Sequence, residues 1–593
     1  MMMRSAKTHI LPLSGLLVLA IFPLLPVPPF WLTLMNNIGL ASLVAIGLVL
    51  LTGVGGLTSF GQAAFCGFGA YTTAVLTTAY GVSPWLTLPL SLLIGALTAF
   101  LLGFITVRLS GHFLPLGTIA WGLALYYLFG KIEFLGSYDG ITSIPPLSVA
   151  GYSFISSQSI FYIIWSFVIL VSIGAVNLLD SRIGRAIRAL RGGAQAAEAF
   201  GVNIVRAKLT VFVLAGVLAA LSGWLYAHMQ RSVNPTPFGL NMGIEYLLMA
   251  VVGGAGHVWG AVFGSAVILV LKEVLQRFLP GLVGTATNVE MVVFGLLLVA
   301  ILQAARDGLW PLATKWAGLR KPERKLAKNH GDLDRRSMPE RGAPLLTVEN
   351  ARKQFGGLVA VNDVSFRINA GEIVGLIGPN GAGKSTTFNL ITGILGLTAG
   401  KVTYRGQPIS GLNPRKIARY GIARTFQHAK VLPDMSVLEN VALGAHLRGS
   451  AGVLRSFIRA ERAEEATLLA EAARQVERVG LGALMHRPAG DLALGQIRIL
   501  EIARALAADP SLLLLDEPAA GLRHAEKQEL AALLKKLREE GVSVLLVEHD
   551  MGFVMGLVDQ LVVLDFGTLI ADGKPQEVRN HPAVIAAYLG GAV

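Results

Sequence analysis

The chain has 593 residues, of which 53% are hydrophobic, and a formal net charge of +13. This length exceeds the roughly 150 residues of a typical domain, so more than one domain is expected. Residues 8–107 contain no Asp, Glu, Lys or Arg, which excludes a wholly soluble protein and is typical of membrane-spanning helices. Many basic residues flank apolar segments, so the positive charge favours a lipid bilayer as partner and no nucleic acid. Cys66 is the only cysteine, which excludes an intrachain disulfide and a cysteine-based metal cluster.

The first half of the chain is a series of apolar segments. They lie near residues 10–30, 34–54, 62–80, 86–107, 113–130, 159–179, 209–229, 258–274 and 287–305, with a shorter one at 243–254. The first is interpreted as a retained span, because further apolar segments follow it and no clear signal-peptide cleavage site is present. Residues 1–305 are therefore predicted to form a polytopic α-helical membrane domain.

Loop charge predicts how these segments are oriented. Residues 181–208 hold six basic residues against one acid, so this basic loop is predicted to face the cytoplasm. Arg4 and Lys7 place the N-terminus on the same side. If the region after residue 306 is cytoplasmic too, nine full spans end on the wrong side, and segment 243–254 is needed as a tenth crossing. A crossing that short must be a half-helix or lie in a thinned membrane, shielded by its neighbours.

The composition changes after the last apolar segment. Residues 306–344 are charged and rich in proline without apolar periodicity, which predicts a solvated cytoplasmic linker. Residues 345–593 alternate apolar runs, such as 512–515, with helical stretches, such as 496–507. That alternation predicts a soluble α/β domain with a largely parallel sheet.

A glycine-rich motif follows one of these apolar runs and precedes a predicted helix. It consists of Gly378, Pro379, Asn380, Gly381, Ala382, Gly383, Lys384, Ser385 and Thr386. In this context the pattern predicts a phosphate-binding loop, whose backbone N–H groups and helix N-terminus face phosphate oxygens. Lys384 is expected to reach the β- and γ-phosphates of ATP, and Ser385 to bind Mg²⁺.

Two acids end a second apolar run. Asp516 and Glu517 directly follow four leucines, 512–515. Downstream of a phosphate-binding loop, Asp516 is predicted to be a Mg²⁺ partner. Glu517 is predicted to be the base that positions the attacking water, a role usually worth ~10²–10⁴ in rate.

In this order the motifs of residues 345–593 resemble those of an ATP-binding cassette (ABC) ATPase. Phe355 precedes the phosphate-binding loop, Gln427 stands in Thr-Phe-Gln-His, and His549 follows the last central run. The resemblance implies that Phe355 stacks on adenine, with a core aromatic as the alternative. It implies that Gln427 senses Mg²⁺ and the membrane domain, and that His549 bonds the γ-phosphate.

The signature region of this family departs from its usual Leu-Ser-Gly-Gly-Gln. It consists of Leu492, Ala493, Leu494, Gly495 and Gln496. Ala493 replaces the serine that, in the family, bonds the γ-phosphate held by the opposing cassette. The resemblance therefore implies a weakened site on a partner's phosphate-binding loop, and it favours a heteromer with two unequal sites.

The basic loop carries a signal of its own. Its residues Gln195, Ala196, Ala197 and Gly201 resemble the coupling loop of ABC importers, with Gln in place of the usual Glu. A short helix ended by Gly201 is expected to dock in a groove of the ATPase. The alternative is a basic loop that only follows the charge bias of membrane proteins.

Residues 53–69 contain glycines at a density that opposes a regular helix. Ser59, Gly61 and Gln62 in this stretch are candidates for a broken helix on a substrate path, although tight helix packing is the alternative. Glu245 is a further candidate, because an ionisable residue at a membrane segment is a default functional site. A side chain reaching from the membrane edge to water is the alternative for Glu245.

The glycine stretch, residues 139–141 and residues 245–254 resemble the permease of branched-chain amino-acid importers. The C-terminal residues 580–590 resemble the cassette of the same importers. The resemblance implies a fused permease and ATPase subunit in the inner or plasma membrane that imports branched-chain amino acids or related small amphipathic solutes. Its implied partners are a second permease, a second cassette and an external solute-binding protein.

Three other functions fit parts of the pattern. An ABC exporter half-transporter also places the membrane domain before the cassette, but with six long spans. Relatives within the importer family carry urea, short amides or aromatic acids. A nucleotide-gated membrane sensor without pumping would not need to keep Asp516, Glu517 and His549.

Overall fold

The structure is a computed structural model that describes residues 19–109, 111–283, 289–318, 326 and 331–589. The chain separates into two compact units. The helical unit takes in the described residues up to 180, those of 205–322 and residues 456–459. The sheet unit takes in residues 181–204, the described residues of 323–455 and those from 460 onward. The central part of the basic loop therefore groups with the sheet unit.

The helical unit is built from apolar helices at the predicted segments. Their bounds are Pro29–Leu48, Gln62–Thr78, Pro84–Thr106, Phe113–Lys131, Ser157–Leu179, Ile204–Gln230, Leu240–Gly254, Val258–Val283, Val289–Ala304 and Leu309–Trp316. The two-residue strands Ile141–Thr142 and Ser232–Val233 lie in loops between helices and pair with each other in antiparallel orientation. The last helix falls within the residues predicted as linker. Arg4, Lys7 and the start of the segment at 10–30 lie outside the described residues.

The number of membrane crossings differs from the expected ten. Within the described residues six helices are long and apolar enough to cross a membrane, or up to seven if the bent pair Val292–Ala304 and Leu309–Trp316 is one span. Leu240–Gly254 is apolar but has only 15 residues, and Gln62–Thr78 has 17. Both are shorter than the ~20 residues that a full crossing needs, so ten crossings are not confirmed.

The glycine stretch both interrupts a helix and allows close packing. The helix from Pro29 ends in a wide π-type turn at Val49–Val54, and the next helix begins at Gln62. A Cβ at Gly69 would lie 2.0 Å from the carbonyl oxygen of Ala220, so only glycine lets these backbones approach. The stretch therefore shows both a helix break and close packing, and a substrate path along it stays a prediction.

The central sheet of the sheet unit has six strands. Their order is Ile422–Arg424, Leu512–Asp516, Ser543–Val547, Ile373–Ile377, Gln560–Asp565 and Thr568–Gly573. The first five are parallel and the last pairs antiparallel. A second, antiparallel sheet contains Leu358–Asn369, Pro344–Phe355, Ala399–Tyr404 and Gln407–Pro408. The predicted α/β domain with a parallel sheet is confirmed.

The central strands are apolar throughout because both faces of the sheet are covered. Leu512 and Leu514 pack into the core on one face, and Leu513 and Leu515 pack into the core on the other. The helices around the sheets are Lys384–Ile391, Pro414–Arg419, Val437–Gly444, Arg462–Arg478, Leu494–Leu506, His524–Glu539, Met551–Met555, Pro575–Arg579 and Pro582–Leu589. Parallel strands bring their carboxyl ends to one edge, and that edge holds the candidate site.

Residues 331–341 run along the surface of the sheet unit. The Arg336 guanidinium donates to the carbonyl oxygens of Arg419 and Asp509. Asp332 forms an ion pair with Arg474 at 3.0 Å. The described end of the predicted linker is therefore held on the protein by specific bonds.

Candidate active site

A cavity of about 340 Å³ lies where the central strands of the sheet unit end. The phosphate-binding loop follows the strand Ile373–Ile377, and Glu517 follows the strand Leu512–Asp516. Seven of the nine residues of the predicted loop line this cavity, and so do the predicted site residues Gln427, Glu517 and His549. The lining residues are Leu358, Val359, Ala360, Asn380, Gly381, Ala382, Gly383, Lys384, Ser385, Thr386, Gln427, Glu517, His549 and Phe566.

The phosphate-binding loop depends on glycine for its shape. Gly378 and Gly383 have φ angles of 150° and 95°, which other residues rarely adopt. Gly383 caps the helix that begins at Lys384, so the N-terminus of this helix is at the cavity. The Lys384 ammonium donates to the carbonyl oxygens of Gly378 and Pro379 at 2.7 and 2.8 Å. Burial lowers the pKa of Lys384, and the negative charges of Glu517 and Asp516 oppose that shift.

The structure brings together the three residues predicted to be catalytic. His549 Nε2 lies 2.9 Å from Glu517 Oε1, and Gln427 Nε2 donates to the same oxygen at 3.3 Å. Glu517 has a φ angle of 49°, an unfavourable backbone conformation for a residue with a side chain. Strain of this kind persists where the surrounding structure over-determines it, often at functional sites. The carboxylate is thereby aimed at Gln427 and His549.

Oxygen ligands suitable for Mg²⁺ lie at the same edge of the sheet. Ser385 lines the cavity, and the buried Asp516 Oδ1 has no hydrogen-bond partner in the described protein. Burial raises the pKa of Asp516, while the Arg424 charge opposes the shift. Hydroxyl, carboxylate and amide oxygens, the last from Gln427, suit this hard cation. The residues present therefore fit Mg²⁺.

Some supporting residues were not recognised from the sequence. Glu548 accepts the backbone N–H groups of Ala519 and His549 at 2.6 and 3.1 Å, and so it holds the segments after two strands. Arg498 donates to the carbonyl oxygens of Phe426 and Gln427 at 2.9 and 2.6 Å. An acid beside His549 was the available signal for Glu548, whereas nothing local distinguishes Arg498 from a surface arginine.

The two aromatic residues near the phosphate-binding loop differ in position. Phe355 stands at the end of a hairpin, 44% exposed, with the Lys353 ammonium 5.0 Å from its ring centre. It is not among the residues that line the cavity, whereas Phe566, which sequence reasoning missed, is. Adenine stacking by Phe355 stays a prediction.

The signature region lies apart from the residues that line this cavity. Ala493 and Leu494 are exposed at the start of the helix Leu494–Leu506, and Leu492 is buried behind them. The Ala493 N–H donates to Gln496 Oε1 at 3.1 Å. Gly495 packs closely, since a Cβ there would lie 2.8 Å from Glu526 Oε1.

The basic loop packs on the segment that carries Gln427. Its short helix Ala194–Ala199 buries Ala196 and Ala199 against Phe426. Phe200 is buried in the core on one face of the central sheet, 5.1 Å beneath the Arg504 guanidinium. Ala197 is buried, Gln195 is exposed, and Gly201 follows the helix with a φ angle of 90°.

Three arginines of the basic loop have partners within the sheet unit. Arg185 forms a two-pronged ion pair with Glu465, and Arg188 pairs with Glu439 at 2.9 Å. Arg182 donates to the carbonyl oxygens of His446 and Ala451 at 2.9 and 2.7 Å. The loop is thus fixed by charged contacts in addition to its apolar helix.

The candidate residues of the helical unit fall in two places. Ser59 and Gly61 line a narrow cleft, and the buried Gln62 amide lies 3.4 Å from the Ser59 hydroxyl. Glu245 is elsewhere, beside a larger cavity, where it pairs with Lys272 at 2.8 Å. The structure does not bring Glu245 together with the glycine stretch candidates.

Family models match both halves of the chain. Residues 30–302 match the permease component of a branched-chain amino acid transport system, and residues 361–520 match the ABC transporter family. Residues 568–593 match a family described as branched-chain amino acid ATP-binding cassette transporter.

Similar proteins match the cassette half. The high-affinity branched-chain amino acid transport ATP-binding protein LivG of Salmonella typhimurium is 45% identical over 252 residues, which are 42% of this chain and 99% of the relative. LivG of Escherichia coli and BraF of Pseudomonas aeruginosa are each 44% identical over 252 residues, which are again 42% of this chain and 99% of the relative.

A nucleotide-binding cassette joined in one polypeptide to membrane-spanning helices defines an ABC transporter subunit in which permease and ATPase are fused. Its sheet unit is an ATP hydrolase coupled to transport, and the chain is a multi-pass membrane protein whose cassette is cytoplasmic. The chain belongs to the branched-chain amino-acid ABC transport family, because it covers nearly the whole length of relatives that are 45% identical.

Proposed function

We propose that this chain imports branched-chain amino acids with energy from ATP. Residues 1–305 are assigned to the permease, 306–344 to a cytoplasmic linker and 345–593 to the ATPase. The names of the similar proteins and the match of the permease half support this substrate class. The same matches favour import over the exporter alternative.

The proposed residue roles follow from the site. Lys384 and the N–H groups of its loop bind the phosphates, and Glu517 positions the attacking water and accepts its proton. His549 orients Glu517 and contacts the γ-phosphate. Ser385, Asp516 and Gln427 would hold Mg²⁺, which would neutralise charge on the β- and γ-phosphates.

The adjacent residues Phe426 and Gln427 support a coupling between the ATP site and transport. Gln427 donates to Glu517, and its neighbour Phe426 packs against Ala196 and Ala199 of the basic loop. A change at the catalytic carboxylate therefore reaches the loop through two adjacent residues. We assign residues 195–201 as the coupling segment.

The full transporter is proposed to be a heteromer. Partners would be a second permease, a second cassette and an external solute-binding protein. Ala493 is exposed, which supports the proposal that it meets a partner's phosphate-binding loop, where the missing hydroxyl would make the two ATP sites unequal.

The test is ATP-driven uptake by the purified complex in proteoliposomes. Wild-type chain with its partners is expected to accumulate leucine. Glu517→Gln is expected to keep ATP binding and to lower hydrolysis and uptake together by ~10²–10⁴. Leucine uptake that is indifferent to Glu517→Gln would refute the proposal. Wild-type uptake of urea but not leucine would overturn the substrate class alone.

A further inference from the structure

A cavity of about 330 Å³ lies within the helical unit. Helices Pro29–Leu48, Gln62–Thr78, Ile204–Gln230, Leu240–Gly254 and Val258–Val283 surround it. Its volume is at the lower end of the ~300–1,000 Å³ of small-molecule sites. Such sites are mainly apolar with a few polar groups that orient the ligand, and this cavity has that composition.

One ion pair joins two of the helices at the cavity wall. Lys272 Nζ lies 2.8 Å from Glu245 Oε1, and the two side chains are 40% and 23% exposed. Both residues line the cavity. Glu273, the next residue on the helix, also lines the cavity, but its carboxylate is paired with Arg277 at 2.9 Å. Charged residues in membrane segments are costly and usually mark a ligand or ion path.

The rest of the wall offers apolar surface. Leu40, Phe238, Met242 and Leu269 line the cavity, with Leu40 and Phe238 almost fully buried. An aliphatic side chain placed there would leave water, which favours binding by about 25 cal/mol per Å² of apolar area. The cavity therefore combines the Glu245–Lys272 ion pair with an apolar wall, while the negative charge of its second carboxylate, Glu273, is paired with Arg277.

We propose that Glu245 and Lys272 bind the α-ammonium and α-carboxylate groups of a neutral aliphatic amino acid in transit through the permease. This rests on the proposed import function and extends it to a site in the membrane. A zwitterion entering between the two side chains replaces one ion pair by two and adds no net charge. An anion or a cation would leave one protein charge uncompensated, and urea would make no use of the opposed charges.

The test measures binding to the membrane site without the solute-binding protein. Purified full-length chain with its partner subunits is placed in nanodiscs, and binding of radiolabelled leucine is measured. Competitors are 4-methylpentanoate, which lacks the ammonium group, and leucinamide, which lacks the carboxylate. We expect wild type to prefer leucine to both. Glu245→Gln and Lys272→Met should each weaken leucine binding roughly tenfold or more.

The order of the competitors separates a binding role from a structural role. In Glu245→Gln the preference for leucine over 4-methylpentanoate should vanish, and in Lys272→Met the preference over leucinamide should vanish. The control is the double variant Glu273→Gln with Arg277→Gln, which removes the second carboxylate of the cavity together with its countercharge. It should keep the wild-type order, because the ammonium group is assigned to Glu245.

Two results would overturn the inference. One is an unchanged leucine affinity in both single variants, and the other is an equal loss for all three compounds. ATP-dependent leucine uptake by wild type checks the proposed function separately. If wild type shows that uptake and both single variants keep the wild-type order of competitors, the proposed membrane site is wrong and the import function stands.

Discussion

Arg185 and Glu465 form a buried ion pair between the basic loop and the helix Arg462–Arg478. Arg185 Nη2 lies 3.0 Å from Glu465 Oε2, and Arg185 Nη1 donates to Glu465 Oε1. The two side chains are 1% and 9% exposed. Two-pronged arginine–carboxylate pairs are geometrically specific. Arg185 is one of the basic residues that predict a cytoplasmic position for this loop, and the same residue also fixes the loop on the helix Arg462–Arg478.

Removing one partner of this pair should uncouple the transporter. Glu465→Gln leaves a buried arginine without its countercharge, which typically costs about 3–5 kcal/mol. We expect less leucine transported per ATP hydrolysed, measured in proteoliposomes, and a lower temperature of ATPase inactivation. The double variant Arg185→Gln with Glu465→Gln should recover part of the stability.

The control for that pair is an exposed one. Asp332 is 83% exposed in its pair with Arg474, so Asp332→Asn should change stability by at most about 1 kcal/mol. An equal effect of Asp332→Asn and Glu465→Gln would contradict a specific role for the buried pair.

The signature helix should respond to a restored hydroxyl. Ala493 begins the helix Leu494–Leu506 without a side-chain cap, so Ala493→Ser should add a cap worth about 1 kcal/mol. It should also raise the steady-state ATPase rate of the heteromeric complex by strengthening the partner's site. Ala493→Asn provides the cap with a bulkier group and should stabilise without raising the rate. An unchanged rate in Ala493→Ser would argue against unequal sites.

Close helix packing should not tolerate a side chain at Gly69. A Cβ there meets the Ala220 backbone at 2.0 Å, so Gly69→Ala should destabilise the helical unit by about 1–3 kcal/mol or more. Gly256→Ala is the control, because nothing lies within 4 Å of its Cβ position. Thermal unfolding in detergent should separate the two variants, and equal midpoints would contradict the packing.

Glu548 should make stability depend on pH. Burial raises the pKa of Glu548 above 4.5, although hydrogen bonds from Ala519 and His549 oppose the shift. The folded protein then binds this proton more tightly than the unfolded chain, so the contribution is complete below pH 4.5. It is lost as pH rises through the raised pKa.

The measurement compares wild type with Glu548→Gln, which cannot ionise. The difference between their ATPase inactivation temperatures should change across the same pH window and be constant above it. Glu548→Gln should also lower the hydrolysis rate, because one of two carboxylate oxygens that hold Ala519 and His549 becomes a donor. A pH-independent difference would contradict the raised pKa.

Local patterns in the sequence account for the ATP-binding features. The run from Gly378 to Ser385 specifies its own loop, since glycine conformations and a helix N-terminus are determined by neighbouring residues. Asp516 and Glu517 follow a strand of buried leucines, and such a strand must lie within a covered parallel sheet. The membrane class followed from residues 8–107, because bilayer-spanning helices tolerate so few charges.

The tertiary structure alone decided which distant side chains meet. Arg185 and Glu465 are 280 residues apart, and neither has a local feature that names its partner. The same holds for the ion pair of Glu245 with Lys272, and for the hydrogen bonds from Arg498 to the carbonyl oxygens of Phe426 and Gln427. Spacing along the chain reports on neighbours within a helix or strand, whereas ion pairs and cavities depend on how those elements pack.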